Sequence, residues 1–387
     1  MSTHEEADPA LQPARVIMGD LPADLPARAF QGIPGIAWTP AGTLWATWYG
    51  GGGGEGKDNY VMLANRPAGG RWSEPWLFID PQHPEVRAYD PTLWLDPQGR
   101  LWLFWAQSHS KPEFEQLPKD PAPWAPDVRK TWDGRSGVWG LCCPQPESQP
   151  RQWDPPVRFC DGIMMNKPTL DARGRWLMPV SIWDFQPFCA SVPQRGPTVA
   201  ISSDHGRSAQ MQSFADLPDR IFDEHHVIPL RDGRWMMWAR SMNASMVATM
   251  SESRDEGRTW TPGRHCNIPC PNSRFFVGRL RSGALLLVSH RITDEVRATD
   301  RPLRPARTHL AAWVSDDDGQ SWQGNLLLDE RAGVSYPDAA QADDGAIHVI
   351  YDYQRYRERQ ILMVSITEQQ VRAGGPSPVP QLVNQPA

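Results

Sequence analysis

Long apolar runs are missing from this 387-residue chain. The longest fall far short of the ~20 residues that a membrane-crossing helix needs, so no membrane partner is expected. The opening stretch MSTHEEADPALQPARV carries acidic side chains and no apolar centre, which excludes a secretory signal and points to a cytoplasmic protein. A basic excess is missing too. With 39 Lys and Arg against 45 Asp and Glu, the net charge of −6 has the wrong sign for a nucleic-acid footprint. Six cysteines, at 142, 143, 160, 189, 266 and 270, form no zinc-like doublet of doublets, and His265 beside Cys266 is only a weak metal hint. Reduced, mostly buried thiols are expected, and neither metal nor organic cofactor. Capped segments of helical period are absent, and no Gly/Ser linker or charge block divides the chain.

What the chain does contain is repetition. SDDDGQSW at 315–322 recurs as SRDEGRTW at 253–260 and, with Ala209 in place of the tryptophan, as SSDHGRSA at 202–209. A second series is independent of the first. A glycine precedes a short apolar run six times, at Gly42, Gly99, Gly174, Gly233, Gly283 and Gly345, at intervals of roughly 60 residues. These runs are rich in Trp, Val, Ile and Leu and are bounded by Gly, Asp and Pro, which favours strands. Thirty-nine prolines suit an all-β chain with many loops. Each unit is too short to bury its own apolar face yet long enough for a four-stranded sheet, so six sheets in a ring, an all-β six-bladed β-propeller, is the expected fold. The expected organisation is an N-terminal segment (1–25), the propeller (26–370) and a C-terminal tail (371–387). A Pro-rich, charged insertion over 108–150 should form a long loop at one mouth of the ring. Recognisable box positions at Trp72, Trp153, Ala209, Trp260 and Trp322 leave one blade short, so the stretch ARVIMGD near the N-terminus is expected to complete the last blade.

The polar boxes read as hairpin turns in which glycine supplies a positive φ and aspartate takes up turn amides. Ser-x-Asp-x-Gly-x-Thr-Trp turns in a six-unit all-β chain resemble the Asp-boxes of the sialidase superfamily, over about residues 28–370. The resemblance extends to single positions. FQGIP at 30–34 stands where sialidases have Phe-Arg-Ile-Pro, and GGGGGEGKDNYVML puts Asp58, with Glu55 as a neighbour, at the acid/base position. EHHVIPLRDGRWMMWAR supplies Glu224 and Arg240, RTHLAAWVSDDDGQSW supplies Arg307, and GVSYPDAAQADDGAIHVIYD supplies Tyr336 as the nucleophile.

The chemistry explains why these types belong together. A sugar with a carboxylate on its anomeric carbon repels a carboxylate nucleophile, whereas a neutral phenol avoids that repulsion. Tyrosine, with an unperturbed pKa of ~10, needs a nearby base, here Glu224. Arg240 and Arg307 would clamp the carboxylate as planar forks, and Asp58 would protonate the departing oxygen. Gly32 departs from the pattern, because the first of three clamping arginines is missing there. Arg87 and Arg274 could compensate, with Asp90, His225, Asn166 and Lys167 as further polar groups. The resemblance therefore implies a retaining exo-glycosidase acting on an acidic, sialic-acid-like sugar, with a carbohydrate as partner. Two alternatives stay open. A lyase or hydrolase of uronic-acid-containing glycosides would use Tyr336, His225 or His226 as base, and a non-catalytic carbohydrate-binding propeller would use its 19 tryptophans as stacking platforms.

Overall fold

The computed structural model describes residues 9–110, 136–183 and 194–384. Every glycine-led run forms the second strand of an antiparallel sheet, and six such sheets stand as the blades of a propeller. The strands nearest the axis are Gln31–Trp38, Val86–Leu95, Thr169–Leu170, Arg220–Pro229, Phe276–Arg279 and Val334–Gln341, in blades one to six. The turn into each second strand is built alike. Its first residue donates its amide to a carbonyl four residues on, the glycine amide bonds back, and the glycine sits at φ between +75° and +89°. That left-handed conformation costs a residue without a Cβ little.

The polar boxes link third to fourth strands. Asp204, Asp255 and Asp317 each accept the hydroxyl of the serine two residues earlier, and the amide and hydroxyl of the residue four later, all at 2.6–3.0 Å. Burial opposes the charge on Asp204 and Asp317, yet these bonds hold Asp204 at about 2 and Asp317 below the usual carboxylate range. The boxes therefore shape the outer turns.

Adjacent blades pack through apolar clusters, one at each of the six junctions. At the junction that closes the ring, Ile36, Trp48 and Met62 of the first blade meet Ile350, Ile361 and Met363 of the sixth. Each such side chain contributes roughly 1.5–3 kcal/mol on full burial. Together these faces hold a ring that no single blade could sustain.

The structure corrects the expected closure. Arg15–Met18, from the ARVIMGD stretch, pairs with Leu77–Asp80 and makes a fifth strand on the outer edge of the first blade, where Arg15 meets Asp80 at 2.9 Å. The outer strand of the last blade, Gln381–Leu382, comes instead from the segment expected to be a tail. Val16 and Ile17 find apolar clusters beside the first blade, whereas the last blade's edge is already covered by Gln381–Leu382 and the buried Val383. The expected insertion also shrinks: Ser136–Cys143 is the third strand of the second blade, and 111–135 lies outside the described residues.

Among the described residues no strand is shared between the first and last blades. Polar ties reinforce that junction. Asp338 accepts the Ile36 amide and Asp352 the Ile33 amide, each at 2.8 Å. Lys167, entering from the third blade, donates to the carbonyls of Ile36 and Ala339 at 2.8 Å and pairs with Asp338 at 3.0 Å. Among the described residues no helix is long and apolar enough to cross a membrane.

Candidate active site

Four of the six inner strands break register: between Gly32 and Gly35, Tyr89 and Thr92, Arg220 and His225, and Ser335 and Asp338. At these bulges Ile33, Asp90, Phe222, Asp223 and Tyr336 have φ between +44° and +57°. Three of them precede a proline, Pro34, Pro91 or Pro337, which has no amide to give to the ladder. Positive φ at such residues costs ~1–3 kcal/mol each and is kept where the surroundings enforce it. At the bulges of blades one and six the enforcing group is Arg274. Its buried guanidinium donates to the carbonyls of Met165 (2.7 Å), Pro34 (3.0 Å), Tyr336 (3.0 Å) and Pro337 (3.3 Å), holding the bulges of blades one and six against the entrance to blade three.

The bulges of blades four and six bring Glu224 and Tyr336 together. The Tyr336 hydroxyl donates to Glu224 Oε1 at 3.2 Å, and Arg240 Nη1 donates to the same oxygen at 2.6 Å and to the Tyr336 oxygen at 3.0 Å. Arg240 thus uses four of its five N–H donors, because its Nε and Nη2 both donate to Asn272 Oδ1, at 3.0 and 2.8 Å. Glu224 Oε2 is buried without a hydrogen-bond partner. A buried acceptor left open beside a phenol is unusual, since such atoms are normally satisfied. Burial, and then the charge of Glu224, raise the Tyr336 pKa, while Arg240, Arg307 and Arg355 pull it down. The phenol is therefore neutral at rest and is surrounded by the groups that would stabilise a phenolate.

Arg307 lies 5.1 Å from the Tyr336 ring centroid and donates to the Asn272 carbonyl at 2.8 Å. Arg355 lies on the same ring at 4.9 Å and pairs with Glu55 at 2.6 Å. Asp58 is exposed on the glycine-rich loop, with its Cβ packed close to Gly52, and makes no hydrogen bond or ion pair among the described residues. Asp90, in the bulge of blade two, is buried. Desolvation raises its pKa to about 7 against the pull of nearby Arg87, with Glu55 and Glu224 adding to the rise. Arg87 is buried beside it, 3.8 Å from the Tyr89 ring centroid.

Several sequence-expected site residues serve the fold instead. The guanidinium of Arg274 is spent on backbone carbonyls, as described. Both ring nitrogens of His225 lie 2.8 Å from carbonyl oxygens, those of Asp223 and Thr198, and His226 Nε2 lies 2.9 Å from that of Phe275. Desolvation pushes His226 down to about 3, so it stays neutral. Asn166 donates to the His225 carbonyl at 2.8 Å, and Lys167 closes the ring. His265 pairs with Asp219 at 2.8 Å. Among the described residues no cluster of His, Cys, Asp or Glu is arranged to hold a metal.

Sequence reasoning missed Asn272, Asp352 and Arg355. None lies in a recurring motif, and for Arg355 the only available signal was the empty side chain of Gly32.

A model of the BNR repeat-like domain matches residues 42–349. The chain belongs to this family. No curated protein matches it. Solved structures similar to this BNR repeat-like chain include NanB sialidase from Streptococcus pneumoniae (13% identity, 96% of this chain and 73% of that one, TM-score 0.63). The intramolecular trans-sialidase from Ruminococcus gnavus, in complex with oseltamivir carboxylate, is also similar (14%, 89% and 95%, 0.62). A protein of unknown function from Dyadobacter fermentans has 16% identity, 89% and 95% coverage and a TM-score of 0.59. At these identities the likeness establishes a sialidase-type six-bladed propeller, and the chemistry must be argued from the site of this BNR repeat-like protein itself.

Proposed function

We propose that the protein is a retaining exo-glycosidase acting on an acidic, sialic-acid-like sugar. The observation that carries this reading is the buried Tyr336–Glu224 pair, with its hydroxyl-to-carboxylate contact of 3.2 Å under the Arg240 guanidinium. Glu224 takes the phenolic proton as the Tyr336 oxygen attacks the anomeric carbon, and the aryl glycoside so formed is then hydrolysed by water. Arg240 steadies the charge that develops on both oxygens. Asp58, exposed on the glycine-rich loop, protonates the departing oxygen in the first step and activates water in the second. No cofactor enters the scheme.

The uronate-lyase alternative has less support, since two of its three candidate bases, His225 and His226, are turned to backbone carbonyls, which leaves it Tyr336 alone. The binding-only alternative has less support as well, because stacking sugars requires neither a Tyr–Glu pair nor an open buried acceptor.

The test is Tyr336→Phe assayed on an aryl sialoside. Turnover should fall at least ~1,000-fold, as expected when a nucleophile is removed, while the melting temperature and ligand affinity stay near those of the parent. Retained turnover would exclude covalent catalysis by Tyr336. An unsaturated uronate among the products of uronate oligosaccharides would favour the lyase.

A further inference from the structure

The place of the missing arginine is not empty. A Cβ built on Gly32 would lie 2.3 Å from Cδ and 2.7 Å from Cγ of Arg355, so the Arg355 side chain runs through the volume that any side chain at 32 would need. Arg355 comes from the sixth blade, beyond the strand Ile347–Tyr353, and its head arrives at the Tyr336 ring. Asp352, buried on that strand, ties the first blade to this spot through the Ile33 amide at 2.8 Å and lies 3.9 Å from Arg355 Nε.

We propose that Arg355, together with Arg307, is the carboxylate-binding pair of this site. Gly32 is the vacancy that lets Arg355 reach it. The assignment rests on the acidic-sugar reading above and replaces Arg240 in the clamp. Arg240 spends four of its five N–H donors on Glu224, Tyr336 and Asn272, so it positions the reacting pair and keeps a single Nη2 hydrogen for a ligand, too little for a two-pronged clamp. Arg307 and Arg355 are differently placed. Both lie about one ring width from the same phenol, at 5.1 and 4.9 Å, and their like charges repel. Two guanidiniums that converge on one phenol ring and repel each other suit an anion that binds both. Glu55, half-exposed on the glycine-rich loop, is the carboxylate that partners Arg355 when no ligand is bound, so an acidic ligand competes with it.

The test measures binding of the 2,3-unsaturated sialic acid analogue and of its methyl ester by titration calorimetry. The parent protein should prefer the acid. Arg355→Ala should lose at least tenfold on the acid and little on the ester, Arg355→Lys should fall between, and Glu55→Gln should tighten the acid alone. Exchanging the two positions, Gly32→Arg with Arg355→Gly, should restore the preference, whereas Gly32→Arg alone should not, since Arg355 still fills the space. If Arg355→Ala and Arg355→Lys, both folded by circular dichroism, keep the parent's preference, the assignment falls and the acidic-sugar reading stands. If the parent itself ignores the carboxylate, the acidic-sugar reading falls and this assignment with it.

Discussion

At the scale of single residues, burial and neighbouring charges move Tyr336, Asp90, Arg240, Arg307 and Arg355 away from their solution behaviour. Asp90 gives the most direct consequence. Its folded pKa of about 7, raised by desolvation, lies above the ~3.9 of an unfolded aspartate. Between these values the folded protein holds a proton that the unfolded chain has released. The stability tied to that proton is therefore complete below pH ~4 and is lost as pH rises to about 7. Asparagine is neutral throughout. Asp90→Asn should match the parent in denaturant unfolding at pH 4 and exceed it by a few kcal/mol at pH 8; equal differences at both pH values would show that Asp90 is not the titrating group. Tyr336, Glu224, Arg240 and Arg307 were legible in the sequence because each sits in a segment with a recognisable neighbour pattern. Arg355 was not. Its role depends on two residues more than 300 positions apart competing for one volume, which nothing in a linear string displays.

At the scale of elements, two kinds of turn behave oppositely. The glycine turns and Asp-boxes repeat the same residue types at the same local spacing, so they are legible in the chain itself. The box predicts its own perturbation: Asp317→Ala removes the acceptor for Ser315, the Ser321 amide and the Ser321 hydroxyl. About 1–2 kcal/mol of stability should be lost, visible as a lower melting temperature, with kcat unchanged because the turn lies between the outer strands. A change in kcat at full folding would mean that the outer turns communicate with the axis. The bulges are the reverse case. They place Asp90 and Tyr336, each followed by proline, at positive φ, a choice that local propensity argues against. At Tyr336 Arg274 compensates from another blade, so that conformation is set by tertiary contacts and leaves no local signature.

At the scale of the whole molecule, the blade count and order followed from the glycine spacing, but the closure did not, because which free edge a terminal strand joins depends on the apolar faces on offer. The observed closure has a further consequence. Each blade is cut from one unbroken stretch of chain, and the ring is sealed by packing and by buried cations rather than by a strand lent from one end to the other. The two ends also lie on neighbouring blades, where Arg66 of the first donates to Gln381 of the last at 2.9 Å. The covalent link between any two blades is thus exchangeable with the gap between the first and the sixth. A circular permutant that joins residue 384 to residue 9 through a flexible linker and opens between Arg331 and Ala332 should fold to a ring with the same melting behaviour and the same ligand preference. Failure of that permutant to fold would mean that assembly needs the blades in their present order along the chain, and its success would make blade order a matter of synthesis and not of architecture.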